Sequence, residues 1–235
     1  MSRHSDEQGL YDVVTSTLKS WLTKVKDAVM QPWRTYGGSP DPRAVYQVPW
    51  ETDTILTELG KISLRAWSQA SDVPPVSRHA FVMSSLAQTQ NFLVRIPDET
   101  ADLIFAEITD AINEGNNTSQ IAARVDRILT WTGSEYWPHR ARVIAITETT
   151  RAYGAATLAA GMEQSRVTGK LLSKRWRSEA DSRVRSSHRS VNGETIPLTA
   201  MFRVGLDMML YPGDPLASVD EVAGCRCDLE IVDGG

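Results

Sequence analysis

Apolar positions recur at three- and four-residue steps through most of the first two thirds of the chain, the spacing that gathers them on one face of a helix. Leu10, Val13, Val14, Leu18, Trp21, Leu22 and Val25 predict an amphipathic helix over residues 7 to 31. Pro32, Gly37-Gly38, Pro40, Pro42 and Pro49 then break the period, which predicts a linker or an extended arm. Ile55, Leu56, Leu59, Ile62, Leu64 and Trp67 predict a second helix over 52 to 70, ended by Pro74-Pro75. Between 77 and 96 the apolar residues Phe81, Val82, Leu86, Phe92, Leu93 and Val94 sit among Ser, Thr and Gln, and only the first part reads as helix. Asp98, just after Pro97, is placed to cap a helix that carries Leu103, Ile104, Ile108 and Ile112 and stops at Gly115. Asn116-Asn117-Thr118-Ser119 is a turn and cap signal for a short helix with Ile121, Ala122, Val125, Ile128 and Leu129. Residues 139 to 167 form one long period, and the small residues between Gly154 and Gly161 allow a neighbour to approach closely.

Beyond Gly169 the pattern shortens to strand-like pieces at 171–177, 195–198 and 226–232, with a turn at Asn192-Gly193 and loops rich in Gly, Pro and Asp. The expected fold class is α+β, mainly helical in the N-terminal two thirds with a small C-terminal sheet. Three segments are expected: an amphipathic helix and proline-rich arm over 1–50, a helical region over 51–96, and helices followed by the sheet over 97–235.

Composition adds little to this picture except what it excludes. With 41% hydrophobic and 23% charged residues the chain is an ordinary globular sequence rather than a disordered one. No apolar run is long enough for a membrane span, and Met-Ser-Arg-His-Ser-Asp-Glu lacks the core of a signal peptide, so folding in a bacterial or host cytoplasm is expected and no membrane partner is.

Charge changes the picture more. Between His139 and Val191 eleven Lys or Arg face four acids, so this segment carries +7 within a chain of net charge −4. Such a segment can meet phosphate, and Lys174, Arg175, Arg177, Arg183, Arg185 and Arg189 are the candidate nucleic-acid contacts. The competing reading is that several of these arginines pair internally with Glu148, Asp181 and the acidic remainder. Trp33 and Trp50 in the proline-rich arm, with Leu10 and Trp21 on the first helix, are candidate partner contacts, since tryptophan is favoured at the centres of interfaces.

The only two cysteines, Cys225 and Cys227, are two apart. On a strand that spacing puts both on one face, at about 6.5 to 7 Å, at or beyond the usual Cα separation of a disulfide. They read as free thiols or metal ligands. The expected outcome is thiols filling the sheet core with no cofactor; the alternative is zinc held by His188, Cys225 and Cys227. No nucleophile elbow, phosphate-binding glycine loop or paired acidic metal ligands are present, so no enzyme is expected.

Trp176, Asp181, Arg183, Arg185, His188 and Asn192-Gly193, followed by Cys225-Arg226-Cys227, stand in an order similar to the C-terminal signature of the phage Mu F-like minor head proteins, the phage head morphogenesis family. Upstream, Arg142-Val-Ile-Ala-Ile-Thr147-Glu148 resembles that family's Arg-x-Ile-Ala-x-Thr-Glu helix, and the likeness covers roughly residues 100 to 231. The chain departs at Asn192, where many relatives carry Asp; both suit a tight turn. The resemblance implies structural roles for Arg142, Thr147, Glu148, Trp176, Asp181, His188, Gly193, Cys225 and Cys227. It also implies a virion protein inside the head of a tailed bacteriophage, attached to the portal protein, near packaged double-stranded DNA and within reach of the major capsid or scaffold protein. The alternative is a cytoplasmic nucleic-acid-processing enzyme with a His/Cys zinc site.

Overall fold

A computed structural model describes residues 2–179 and 181–234, with the backbone alone for Arg78, His79, Ser85, Gln88, Gln90, Asn91 and Phe92. Phe92, one of the apolar residues cited above, therefore has no described side chain. The order of elements is α1 (Arg3–Tyr36), a 3-10 turn (Pro42–Gln47), α2 (Asp53–Ala70), α3 (Arg78–Leu93), α4 (Ile96–Asn113), α5 (Thr118–Ile128), α6 (Tyr136–Thr168), β1 (Leu172–Arg177), α7 (Ser186–Ser190), β2 (Thr195–Pro197), β3 (Phe202–Val204), β4 (Asp207–Met209), α8 (Val219–Val222) and β5 (Asp228–Asp233). The fold class is α+β, helices first and a small antiparallel sheet last. The chain divides into two compact units, one of Met1–Tyr11, Ile55–Thr89 and Arg142–Gly235, the other of Asp12–Thr54 and Gln90–Ala141.

In the second unit the period-3.6 stripes are buried as expected, with Trp21, Val25, Val29, Ile104 and Val125 in its core. α1 does not stop at Pro32 but runs to Tyr36, and Gly37, at φ +71°, ends it by donating its N–H to the Trp33 carbonyl at 2.9 Å. Trp33 therefore belongs to the helix rather than to an arm. The segment that follows is not a free arm either. Trp50 packs edge-on against Trp21 with ring centroids 5.2 Å apart and donates to the Leu93 carbonyl at 2.8 Å, while Trp21 donates to the Val48 carbonyl at 3.2 Å. Asn117 caps α5 with a reciprocal bond to Gln120. Asp98 does not cap α4. That helix begins earlier, with Pro97 in its first turn, and Asp98 lies within the turn, where its charge suits the helix dipole.

In the first unit the sheet runs β2-β1-β5, all antiparallel, with Trp176 opposite Leu229 and Lys174 opposite both Ile196 and Ile231. Residues of one strand alternate between faces, so Leu172, Lys174 and Trp176 share the inner face and Arg175 and Arg177 the outer one. The inner face covers a core of Trp176, Phe202, Val204, Met209, Val222 and Leu229. α6 packs closely on this region through its small residues: a Cβ on Gly161 would lie 2.7 Å from Ile231 Cδ1, and one on Gly154 would lie 2.6 Å from the Pro212 carbonyl. A hairpin of β3 and β4, joined by Gly205-Leu206, completes the unit and was not among the expected strands.

Candidate functional site

The signature residues converge on two segments, 181–188 and 221–227, and on the middle of α6. β1 ends at Arg177, and the chain turns through Asp181 and Arg183 into the short helix α7, which presents His188 inward. The other segment leaves α8, turns at Gly224 with φ +65°, and places Cys225 and Cys227 just ahead of β5 rather than on it. Freed from a ladder, both thiols can turn toward the same point. Cys227 Sγ lies 3.3 Å and Cys225 Sγ 3.5 Å from His188 Nδ1, and all three side chains are buried free of any disulfide. The opposite ring nitrogen, Nε2, donates to Glu221 Oε2 at 2.9 Å, and that same oxygen accepts from the Ser187 hydroxyl at 2.9 Å.

Further ties flank this centre. Arg226, pointing away from the thiols, pairs with Asp181 at 2.8 Å, and the Arg185 guanidinium donates to the Ala223 carbonyl. The two segments are thus stapled by an ion pair on the outside, a backbone carbonyl in the middle and the imidazole on the inside. α6 holds the same loop from behind: Thr147 Oγ1 accepts from the Gly224 amide at 2.8 Å, and the Thr150 hydroxyl donates to the Cys225 carbonyl. Arg3 donates to Thr150 Oγ1 at 2.6 Å and to the Cys227 carbonyl at 3.1 Å. One turn along α6, Arg151 donates to both oxygens of Glu148 at 2.8 and 2.7 Å and to the Gly213 carbonyl at 3.2 Å, and Thr89 donates to Glu148 at 2.7 Å. Gly213 is at φ +83°, and a Cβ there would lie 2.9 Å from the Arg151 amide, so the loop can sit against α6 only with glycine at this place.

These neighbours set the ionisation of the centre. The hydrogen bond from Cys227, opposed by burial and reinforced by His188, holds the Cys225 thiol well below its ordinary pKa. Donation to Cys225, together with burial, pushes Cys227 up. Burial alone would lower the His188 pKa, but its contacts with Cys225 and the Glu221 carboxylate outweigh that and raise it. Asp181 is held below the usual carboxylate range chiefly by Arg226. Beside the thiols, the Trp176 indole N–H is buried and interacts with Cys227 short of a full hydrogen bond. Its ring packs edge-on against both His188 and Phe202, at 5.5 and 5.3 Å. The Trp176 backbone is fixed by Gly193, at φ +84°, and Glu194, which extend the β1–β2 pairing into the Asn192-Gly193 turn.

Several candidate contacts need correction. Lys174 is 0% exposed: strand alternation turns it inward with Trp176, and its ammonium donates to the Leu210 carbonyl at 2.8 Å and lies 5.5 Å from the Phe202 ring centre. It cannot meet nucleic acid. Arg185 is committed to Ala223. Arg175 and Arg177 do lie on the outer face, 3.6 and 3.9 Å from Glu230, and the Arg183 side chain is 77% exposed; Arg189 is exposed too. Of the partner candidates, Leu10 and Trp21 are buried at 0% and 3%, so neither is a surface anchor, while Trp33 and Trp50 are half-buried. Arg142 is exposed and lies over the Tyr11 ring at 5.4 Å. Glu221, Ser187, Thr150, Arg151 and Arg3 all serve the site and were missed. Thr150 and Arg151 were findable, lying one helical turn beyond Thr147 and Glu148; Glu221 had no periodic signal.

The family described as Phage Mu protein F like protein matches residues 102–230. Comparison with curated proteins and with solved structures finds no match. The matched span takes in α6, the stapled segments, the Asn192-Gly193 turn and the first half of β5, and so most of what builds the site. More than half of the sequence is covered, and the chain belongs to the Phage Mu protein F like family of phage head morphogenesis proteins.

Proposed function

We propose that this chain is a minor head protein of a tailed bacteriophage, held inside the head at the portal vertex, where it assists head assembly and the packaging or ejection of double-stranded DNA. The observation that carries this reading is the family match over residues 102–230. The portal protein is the principal partner, with the major capsid or scaffold protein as a neighbour during assembly. Arg177, Arg183 and Arg189 support DNA contact, since they are the candidates of the +7 segment whose side chains stay well exposed. Co-expression with the portal protein of the same phage tests the location: the chain should co-purify with portal and be found in heads. Its absence from both would overturn the proposal. For DNA, weak binding without sequence preference is expected, falling steeply as salt rises. Replacing Arg177, Arg183 and Arg189 together by Ala should flatten the salt slope by up to about 0.9 per lost phosphate contact. An unchanged slope would assign these arginines to protein contacts.

A further inference from the structure

We propose that His188 Nδ1, Cys225 Sγ and Cys227 Sγ together bind one zinc ion. Their donor atoms all lie within 4.8 Å of one another, on buried side chains. Tetrahedral zinc, with bonds of about 2.3 Å to sulfur and about 2.0 Å to nitrogen, requires nitrogen-to-sulfur edges of about 3.5 Å. The two such edges here measure 3.3 and 3.5 Å. A Cys-x-Cys pair lacks the spacing of a zinc-finger loop, and on a strand its thiols commonly fill the core. Here both residues precede β5, and their sulfurs converge on the imidazole.

Two independent features also point to a metal. Glu221 accepts a hydrogen bond from His188 Nε2, which leaves Nδ1, on the side of the thiols, as the ligand atom of a neutral ring; a carboxylate behind the imidazole is the usual outer partner of a zinc-bound histidine. The second feature is the Trp176 N–H, which is fully buried and interacts with Cys227 without a full hydrogen bond; a zinc-bound thiolate there would be a stronger, charged acceptor. Among the described residues no fourth His, Cys, Asp or Glu joins the group, so water completes the tetrahedron.

The test uses the full chain, purified without a polyhistidine tag from cells grown with added zinc. Elemental analysis should find stoichiometric zinc, and exchange for cobalt(II) should give the visible absorption of a tetrahedral ion with sulfur-to-cobalt charge transfer. Cys225→Ser, Cys227→Ser and His188→Ala should each lose the metal. Glu221→Gln, which keeps all three ligands, should retain it with affinity about 10 to 100 times weaker against a competing chelator. Should the ligand variants fail to fold, the cobalt spectrum of the parent decides. Metal well below stoichiometric after incubation with zinc, a cobalt form without charge transfer, or folded Cys variants that hold as much zinc as the parent would each overturn the proposal.

Discussion

The helices between residues 90 and 141 bury Ile96, Ala101, Ile104, Ala111, Ile121, Val125 and Leu129, and their buried Thr100 simply returns its hydroxyl to Ile96 of its own helix. From Arg142 onward the interior is of another kind. Glu148, Arg151, Lys174 and His188 are buried there, each engaged with a group distant in sequence. The first region needs apolar volume in the right places, and many side chains supply that. The second needs particular atoms, because a buried donor or charge left without its partner costs far more than an imperfect apolar contact. This is why a family signature can be written for the second region as individual residues.

Equal-sized substitutions put that contrast to the test, and the largest effect is expected at Glu148. Glu148→Gln keeps the shape but leaves the Arg151 charge buried without its carboxylate, which should destabilise the protein by about 3 to 5 kcal/mol in urea unfolding. A loss below about 1 kcal/mol would show that charge identity does not hold this region.

The next effect is read through pH. Burial, opposed in part by Asp214, pulls the Lys174 pKa from 10.5 down to about 8. The unfolded chain therefore holds this proton more tightly than the folded one between about pH 8 and 10.5. Stability should rise with pH across that window, by about 1 to 3 kcal/mol, and the cost of the buried ammonium is fully present below it. Lys174→Met should remove this rise relative to the parent; parallel profiles for the two proteins would mean that Lys174 does not titrate there. The smallest effect belongs to the apolar region, where Ile104→Leu, conserving volume, should cost less than about 1.5 kcal/mol by the same unfolding measurement.

Much of the helical architecture was legible because each helix is an autonomous periodic pattern with local punctuation, as at Asn117 and Gly115. Misreadings arose where a local rule was applied to the wrong neighbour. Lys174 stands in one basic run with Arg175 and Arg177, but its alternation with Trp176 places it inside. The hairpin of Phe202–Val204 and Asp207–Met209 was legible in principle, since Gly205-Leu206 is a two-residue turn signal between alternating apolar residues. Pro32 breaks the apolar period, but the helix continues a further turn to the glycine that can adopt the left-handed conformation. Within the site, Asp181, His188 and the cysteines were visible as residue types, and the resemblance supplied their order. Their pairing was not visible: nothing local to Glu221 announces that it faces a histidine 33 residues upstream.

The tie between Thr147 and Gly224 spans 77 residues, and that between Arg3 and Cys227 spans 224. Contacts of such separation must close long loops before they return any stabilisation, and so they form late and slowly. During synthesis the chain emerges from its N-terminus, so the short-range helices can form while the staple still lacks its second half. Until residue 227 has left the ribosome and docked, His188 has no sulfur beside it and the cysteines stay open to reagents. Protection of these two thiols is therefore a clock hand for maturation, marking when a newly made chain has finished folding.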